Sequence, residues 1–238
     1  MPKTFDTEIE LQRSYYAKTA GEYDTMHVSA HDEHGFALAY MLSMIDFLGI
    51  ETVLDLGSGT GRALKIVKGK MPEIRIVGVE PSRELRQVGY AGGLAETDLI
   101  DGDAMHLQFA DHSFDLVCEF GALHHIPKPK LAVSEMLRVA KKAIFISDCN
   151  NFGQGSPVSR CAKQLLNFLG LWPLADYVKT QGRGYTISEG DGLAYSYSVF
   201  NDYAQIKSAC KSVHFLNTRD SGPDLYRSAE HVVLLGIK

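Results

Sequence analysis

The chain has 238 residues, 45% hydrophobic and 22% charged, the balance of an ordinary globular domain with a well-filled core. Its 29 carboxylates outnumber its 24 lysines and arginines, for a net charge of −5. A mildly acidic chain has no global attraction to phosphate backbones or anionic membranes, so nucleic acid is not expected as the main partner, though a global sum says nothing against a local basic patch.

Four cysteines, Cys118, Cys149, Cys161 and Cys210, show no C-x-x-C spacing, so neither a zinc knuckle nor a redox motif is expected. The opening MPKTFDTEIE is polar and lacks the apolar stretch of a signal peptide. No window approaches the ~20 apolar residues of a membrane span, and the expected location is the cytoplasm. The sequence shows no internal repeat, and we read it as a single domain, 1–238.

Residues 1–49 predict a helical cap, with helices over 8–17 and 35–48. Residues 50–148 predict an alternating core. Strands are expected at 52–56 (TVLDL), 75–79 (RIVGV), 98–102, 114–119 (FDLVCE) and 143–147 (AIFIS). Between them, helices are expected over 61–70, 82–91 with Ser82 as its N-cap, and 130–139. Strands apolar throughout and separated by helices predict a doubly wound α/β sheet, mostly parallel and covered on both faces. Residues 149–200 predict an insertion after the fifth strand. It begins with an amphipathic pattern at Val158, Cys161, Ala162, Leu165, Leu166 and Leu169, and a Gly-rich run over 182–192 follows as a candidate lid. Residues 201–238 predict a helix over 201–210 and strands at 213–217 and 231–237 that complete the sheet.

The chemistry-bearing signal is Asp55-Leu56-Gly57-Ser58-Gly59-Thr60-Gly61, at the first strand-to-helix turn. Glycines there let backbone N–H groups approach a ligand, and the helix N-terminus adds partial positive charge. The third glycine falls one residue too early for the dinucleotide pattern, so the spacing suits a ligand with an amino-acid tail and a nucleoside. Glu80, followed by Pro81, ends the second strand, where a carboxylate accepts ribose hydroxyls. After the third strand, Asp103 is a candidate acceptor for an adenine amino group, with Ala104 and Met105 packing on the ring; the same aspartate would also serve as a helix N-cap. Glu119, Phe120 and the segment Gly121-Ala122-Leu123-His124-His125-Ile126-Pro127 follow the fourth strand and face the same edge.

Residues 15–146 resemble the class I methyltransferases that use S-adenosylmethionine (SAM), in particular a small-molecule branch of quinone and sterol C-methyltransferase relatives. The matching residues are VLDLGSGTG, GVE, GDA, FDLV…LHHIP and the helix ending LRVAKK. The resemblance implies a Rossmann-like seven-stranded sheet whose last strand, 231–237, is antiparallel. It implies that Gly57, Gly59 and Gly61 line the methionine portion of SAM, Glu80 the ribose, and Asp103 with Ala104 the adenine. It also implies a backbone contact from Glu119 or Phe120 near the SAM amino group. The segment from Ser14 to Asp24 is similar to the branch's Y-x-x-x-A-x-x-Y-D signature, which makes Tyr15, Tyr16 and Tyr23 candidates to close over the cofactor or, equally, to pack as core.

The implied activity is methyl transfer to a small-molecule acceptor at O, N or C, by a monomer or homodimer. The alternatives are an RNA or protein methyltransferase, disfavoured by the charge and by Glu119-Phe120-Gly121-Ala122 standing where an Asn-Pro-Pro-Tyr-like motif would be, and a non-catalytic SAM-binding scaffold. Transfer from a sulfonium needs mainly alignment, and His124 and His125 are the candidates wherever a general base is required; either also serves as a structural turn residue. No metal is expected: His31-Asp32-Glu33-His34 has ligand-like spacing but reads as a solvated helix start. The acceptor is expected beneath the cap and the insertion, near Trp172, Tyr177, Tyr185, Tyr195, Tyr197 and Phe200, with Glu189, Asp191 and Asp202 either meeting a polar acceptor or solvated.

Overall fold

A computed structural model describes residues 5–23, 25, 29, 31–219 and 222–238. Asp24, part of the tyrosine signature, lies outside the described residues.

The core alternates as the sequence predicts: β1 (Thr52–Leu56), α3 (Arg62–Lys70), β2 (Arg75–Val79), α4 (Arg83–Ala91), β3 (Leu99–Ile100), β4 (Phe114–Phe120), α5 (Pro129–Val139) and β5 (Ala140–Cys149). Ahead of it stand α1 (Phe5–Thr19) and α2 (Glu33–Phe47). After it come α6 (Pro157–Phe168), α7 (Trp172–Lys179), β6 (Tyr185–Ser188), β7 (Gly192–Tyr195), α8 (Tyr203–Ala209), β8 (Ser212–Asn217) and β9 (His231–Ile237). One seven-stranded sheet runs β3-β2-β1-β4-β5-β9-β8. The first five strands are parallel, and β9 lies antiparallel between β5 and β8. This is the Rossmann-like sheet expected, with its last strand antiparallel.

Side chains alternate across each strand, so each strand feeds both faces. Leu54, Val117, Ile144 and Ile146 pack with α5 residues Val133 and Met136 on one face. Val53, Leu116, Cys118 and Phe145 pack with Met41 of α2 and Leu64 of α3 on the other. Ser82 caps α4 by accepting from the Leu85 N–H at 3.3 Å. The third strand is shorter than the expected 98–102, since only Leu99 and Ile100 pair with β2.

The Gly-rich run read as a lid folds instead into an antiparallel hairpin, β6–β7. Its mate is α1: the Gln12 Oε1 accepts from the Leu193 N–H at 2.6 Å, and the Tyr195 hydroxyl donates to Glu8 Oε2 at 2.8 Å. Cap and insertion therefore meet over the C-terminal ends of β1 and β4. Among the described residues, no helix is long and apolar enough to cross a membrane.

Candidate functional site

The switch point of the sheet lies where β1 and β4 are neighbours and their outgoing chains part, which opens a crevice at the strand ends. The glycine loop occupies it. Gly57, Gly59 and Gly61 all have positive φ (65°, 56° and 81°), a conformation glycine adopts without strain. Gly57 donates its N–H to the Val79 carbonyl at 2.9 Å, and a Cβ there would collide with Ala122. Gly59 donates to Glu80 Oε2 at 3.0 Å and faces the Tyr23 ring. Gly59 and Gly61 both depart from the expectation in lining neither cavity, and a Cβ on Gly61 would strike Leu94, so its place is in helix packing.

Two cavities share a wall in this crevice. The smaller, about 150 Å³, is mainly apolar, with Val79, Leu85, Ala104, Met105 and Ile126 around it and Glu80, Pro81 and Asp103 at the edge. The larger, about 450 Å³, is polar and is bounded by Asp55, Ser58, Arg62, His34, His124, Asp191 and His231. Tyr16, Tyr23, Gly57, Phe120, Gly121 and His125 border both. Glu80 is buried, and its carboxylate accepts from the Gly59 N–H and, at 2.8 Å, from the Ser82 N–H, which aims it along the smaller cavity. Asp103 accepts from the Met105 N–H at 2.8 Å, a local cap compatible with either of its two readings.

Asp55 is fully buried, and burial pushes its carboxyl up to about 7 against the opposing hydrogen bonds of Ser58 and Cys118. Glu119 faces neither cavity. Its carboxylate accepts from the Ala122 N–H at 2.8 Å and the Ser147 N–H at 3.0 Å, bracing the turn after β4 against β5. Burial, with Asp148 nearby, raises its pKa well above the usual carboxylate range. Of this pair of candidates only Phe120 reaches the cavities. Tyr15 is also displaced from the expected place: its hydroxyl donates to the Glu189 carbonyl at 2.9 Å, outside both cavities. Tyr16 stays in the shared wall, and burial lifts its phenol pKa well above the ordinary value.

The two histidines sit on a 3-10 turn, Leu123–His125, with rings 4.0 Å apart. His124 Nδ1 is 2.7 Å from Asp148 Oδ1, and its Nε2 is 3.5 Å from Asp191 Oδ2. His125 Nδ1 donates to the Leu193 carbonyl at 2.6 Å, and its Nε2 is 3.4 Å from Asp191 Oδ1. Burial disfavours charge on His124, but Asp148 and Asp191 outweigh it and hold its pKa well above the ordinary value. Both partner carboxylates are held well below theirs against the same burial. The site therefore sets the His124 imidazole between two carboxylates. His124, His125 and Asp191 each offer a metal-ligating atom within 4.8 Å of the others, and so do His124, Asp148 and Cys149.

The run His31-Asp32-Glu33-His34 is a helix start, as read. Asp32 caps α2 through the Gly35 N–H at 2.6 Å and pairs with Arg62 at 2.7 Å. His34 stands edge-on to His231, with ring centroids 4.7 Å apart.

The insertion's aromatics do not surround an acceptor: Trp172, Tyr177, Tyr185, Tyr195, Tyr197 and Phe200 border neither cavity. Tyr197 is buried, its hydroxyl donating to Asp202 at 3.0 Å; Phe200 stacks on Phe215, and Trp172 meets Phe152 edge-on. They fasten the insertion to the core. Of the three acids, only Asp191 enters the site. Sequence reasoning missed Gln12, Arg62 and Asp148. Asp148 carried a signal, a carboxylate at the C-terminal end of a parallel strand. Gln12 carried none, because its partner lies 181 residues away.

Residues 54–146 match the family described as "Methyltransferase domain". The chain is 32% identical over 92 residues to a demethylmenaquinone methyltransferase of Thermotoga maritima, covering 39% of this chain and 40% of that one. It is 28% identical over 133 residues to a phosphatidylethanolamine N-methyltransferase of Cereibacter sphaeroides, covering 49% and 59%. The chain thus spans about half the length of these curated relatives. A solved SAM-dependent methyltransferase of Thermotoga maritima, described as a possible histamine N-methyltransferase, superposes with TM-score 0.57 over 94% of this chain and 99% of its own, at 20% identity. With the glycine loop, the carboxylate at the end of β2 and this sheet order in place, residues 54–146 are a methyltransferase domain, on the fold shared with a solved SAM-dependent methyltransferase.

Proposed function

We propose that the chain transfers a methyl group from SAM to a small-molecule acceptor. The carrying observation is the pair of adjoining cavities: an apolar one edged by Glu80 shares a wall of Gly57, Phe120 and Gly121 with a polar one headed by His124, His125 and Asp191. The residues fit the cofactor. The loop approaches so closely at Gly57 that a Cβ would fill the cradle, and the apolar walls with Glu80 and Asp103 match a nucleoside. Glu80 would hold the ribose and Asp103, Ala104 and Met105 the adenine, with Pro81 beside them. Asp55, Gly57, Ser58 and Phe120 would border the amino-acid end, under Tyr16 and Tyr23. When bound, SAM supplies an electrophilic methyl with its own leaving group.

The chain's own residues do the rest. Cap and hairpin exclude water from the junction. The larger cavity, within the size range of small-molecule pockets, positions a polar acceptor. Asp148 fixes His124 with Nδ1 protonated, which leaves Nε2 facing the cavity to take a proton from an acceptor hydroxyl or amine once its own is shed. The relatives named for demethylmenaquinone and phosphatidylethanolamine support a small-molecule acceptor.

Calorimetry with SAM and its demethylated product, followed by transfer of isotopically labelled methyl to a panel of hydroxylated and amino small molecules, tests the reading. Binding in the micromolar range and label in a small product are expected. Label only in RNA or protein overturns the acceptor assignment; binding without turnover on any acceptor favours the scaffold reading; failure of both ligands to bind removes the whole proposal.

A further inference from the structure

Helices α6 and α7 are amphipathic the wrong way round. On α6 the polar positions Arg160, Lys163, Gln164 and Asn167 follow helical spacing, and all four turn toward the body. Arg160 Nη1 donates to the Ser228 carbonyl at 3.3 Å, and Lys163 Nζ to the Gln154 carbonyl at 2.9 Å. Gln164 Nε2 donates to the Phe152 carbonyl at 3.0 Å and the Arg227 carbonyl at 2.9 Å. Asn167 donates to the Tyr226 hydroxyl at 2.8 Å. The apolar face is left outside: Val158 is 80% exposed and Phe168 86%, with Leu165 and Leu169 beside them. On α7, Asp176 and Lys179 reach inward to Ser196, while Leu174, Tyr177 and Val178 face out. Neither helix buries a residue. A continuous apolar face this size marks a contact surface.

We propose that the α6–α7 hairpin rests in the interface of an anionic lipid bilayer. Charge selects the occupant. Between Asp148 and Glu189 the chain has a single carboxylate, Asp176, which is engaged with Ser196, against four cations, Arg160, Lys163, Lys179 and Arg183. Residues 149–175 are the longest run without a carboxylate in a chain of net charge −5. Anionic headgroups meet no carboxylate on this face and attract the exposed cation at its rim. Arg183 is exposed at the C-terminal end of the patch, where it reaches headgroups while Phe168 and Leu174 enter the acyl boundary. Trp172 and Tyr177 are residue types that favour this depth. The surface also adjoins the polar cavity: Gln154, whose carbonyl holds Lys163, borders it. The proposal rests on α6 and α7 alone and does not depend on the methyl-transfer reading.

Trp172 is the chain's single tryptophan, so its emission reports the hairpin directly. With phosphatidylcholine vesicles containing phosphatidylglycerol, we expect co-sedimentation, a blue shift and quenching by brominated acyl chains, all weakened by salt and by omission of phosphatidylglycerol. Phe168→Glu with Leu174→Glu, both at exposed positions, should lower partitioning at least about tenfold while circular dichroism stays unchanged. The proposal is overturned if the protein stays in the supernatant with both vesicle types and its emission does not move. It is equally overturned if the protein is a dimer that this double variant dissociates, because the face would then belong to a second copy.

Discussion

His124 Nδ1 lies 2.7 Å from Asp148 Oδ1, and the Asp148 side chain is wholly buried. A buried carboxylate fixes the tautomer of its histidine and stabilises the charged ring. His124 accordingly holds its proton to higher pH than a free imidazole, and on the proposed mechanism activity rises as pH climbs through its raised pKa. Asp148→Asn removes that stabilisation. It should move the ascending limb of the pH–rate profile to lower pH and reduce kcat by about 10²-fold or more, the range of lost acid–base catalysis. A pH–rate profile of wild type and variant measures this; an unmoved limb assigns the limb to another group.

Asp55 provides a pH-dependence of stability rather than of rate. Its carboxyl titrates near 7 in the folded chain against an ordinary 3.8. Between those values the folded protein holds a proton that the unfolded chain has released, so Asp55 costs stability as pH rises through that window. At roughly 1.4 kcal/mol per pKa unit, the swing approaches about 4 kcal/mol. Asp55→Asn should therefore gain stability relative to wild type on going from about pH 4 to about pH 8, whatever its absolute offset. Urea denaturation of both proteins at the two ends gives the difference; a constant offset would show that Asp55 does not titrate there.

Gly57 and Gly61 share a motif but not a role. Gly61 has φ 81° and packs against Leu94 away from both cavities. Gly61→Ala combines a strained backbone with a collision and should cost about 2 kcal/mol or more of stability. SAM affinity of the folded fraction should change less than about threefold, because no ligand-facing atom moves. Gly57→Ala fills the shared wall and should weaken SAM at least about tenfold. Thermal melts paired with calorimetry on each variant separate the two. Equal losses of affinity would place Gly61 back against the ligand.

These contrasts mark what the sequence could show. The strand-and-helix core was legible because each strand is mostly apolar and alternates with a helical pattern, one of them opened by the Ser82 cap. Glu80 was legible because a strand end at a fixed distance from the glycine loop has one address in such a sheet. The acceptor side was not. Asp191 lies in a Gly-rich stretch with no periodicity, and only the pairing of β6 with β7 brings it beneath the histidines. The aromatics of the insertion misled for a related reason. Aromatic density is the same for a pocket wall and for a staple, and Tyr197 bonding to Asp202 is a staple. Helical spacing on α6 told which residues share a face but not which face turns inward, since Lys163 and Gln164 find backbone carbonyls to bind there.

The peptide unit of Leu193 joins three parts of the chain. Its N–H donates to Gln12 Oε1 of α1 at 2.6 Å, and its carbonyl accepts from His125 Nδ1 at 2.6 Å. Gln12, itself buried, borders the smaller cavity. Gln12→Ala leaves the buried N–H of Leu193 without its acceptor, a cost of about 1–3 kcal/mol concentrated where α1 meets the hairpin. The cap should then open more often. We expect faster amide exchange over 185–195 and a SAM off-rate raised about tenfold, with the sheet's exchange unchanged. Gln12→Glu keeps an oxygen acceptor at the same reach and should restore most of the protection. Hydrogen exchange and stopped-flow displacement on both variants check this. If Gln12→Ala leaves exchange over the hairpin as it was, α1 is not what holds β7 over the site.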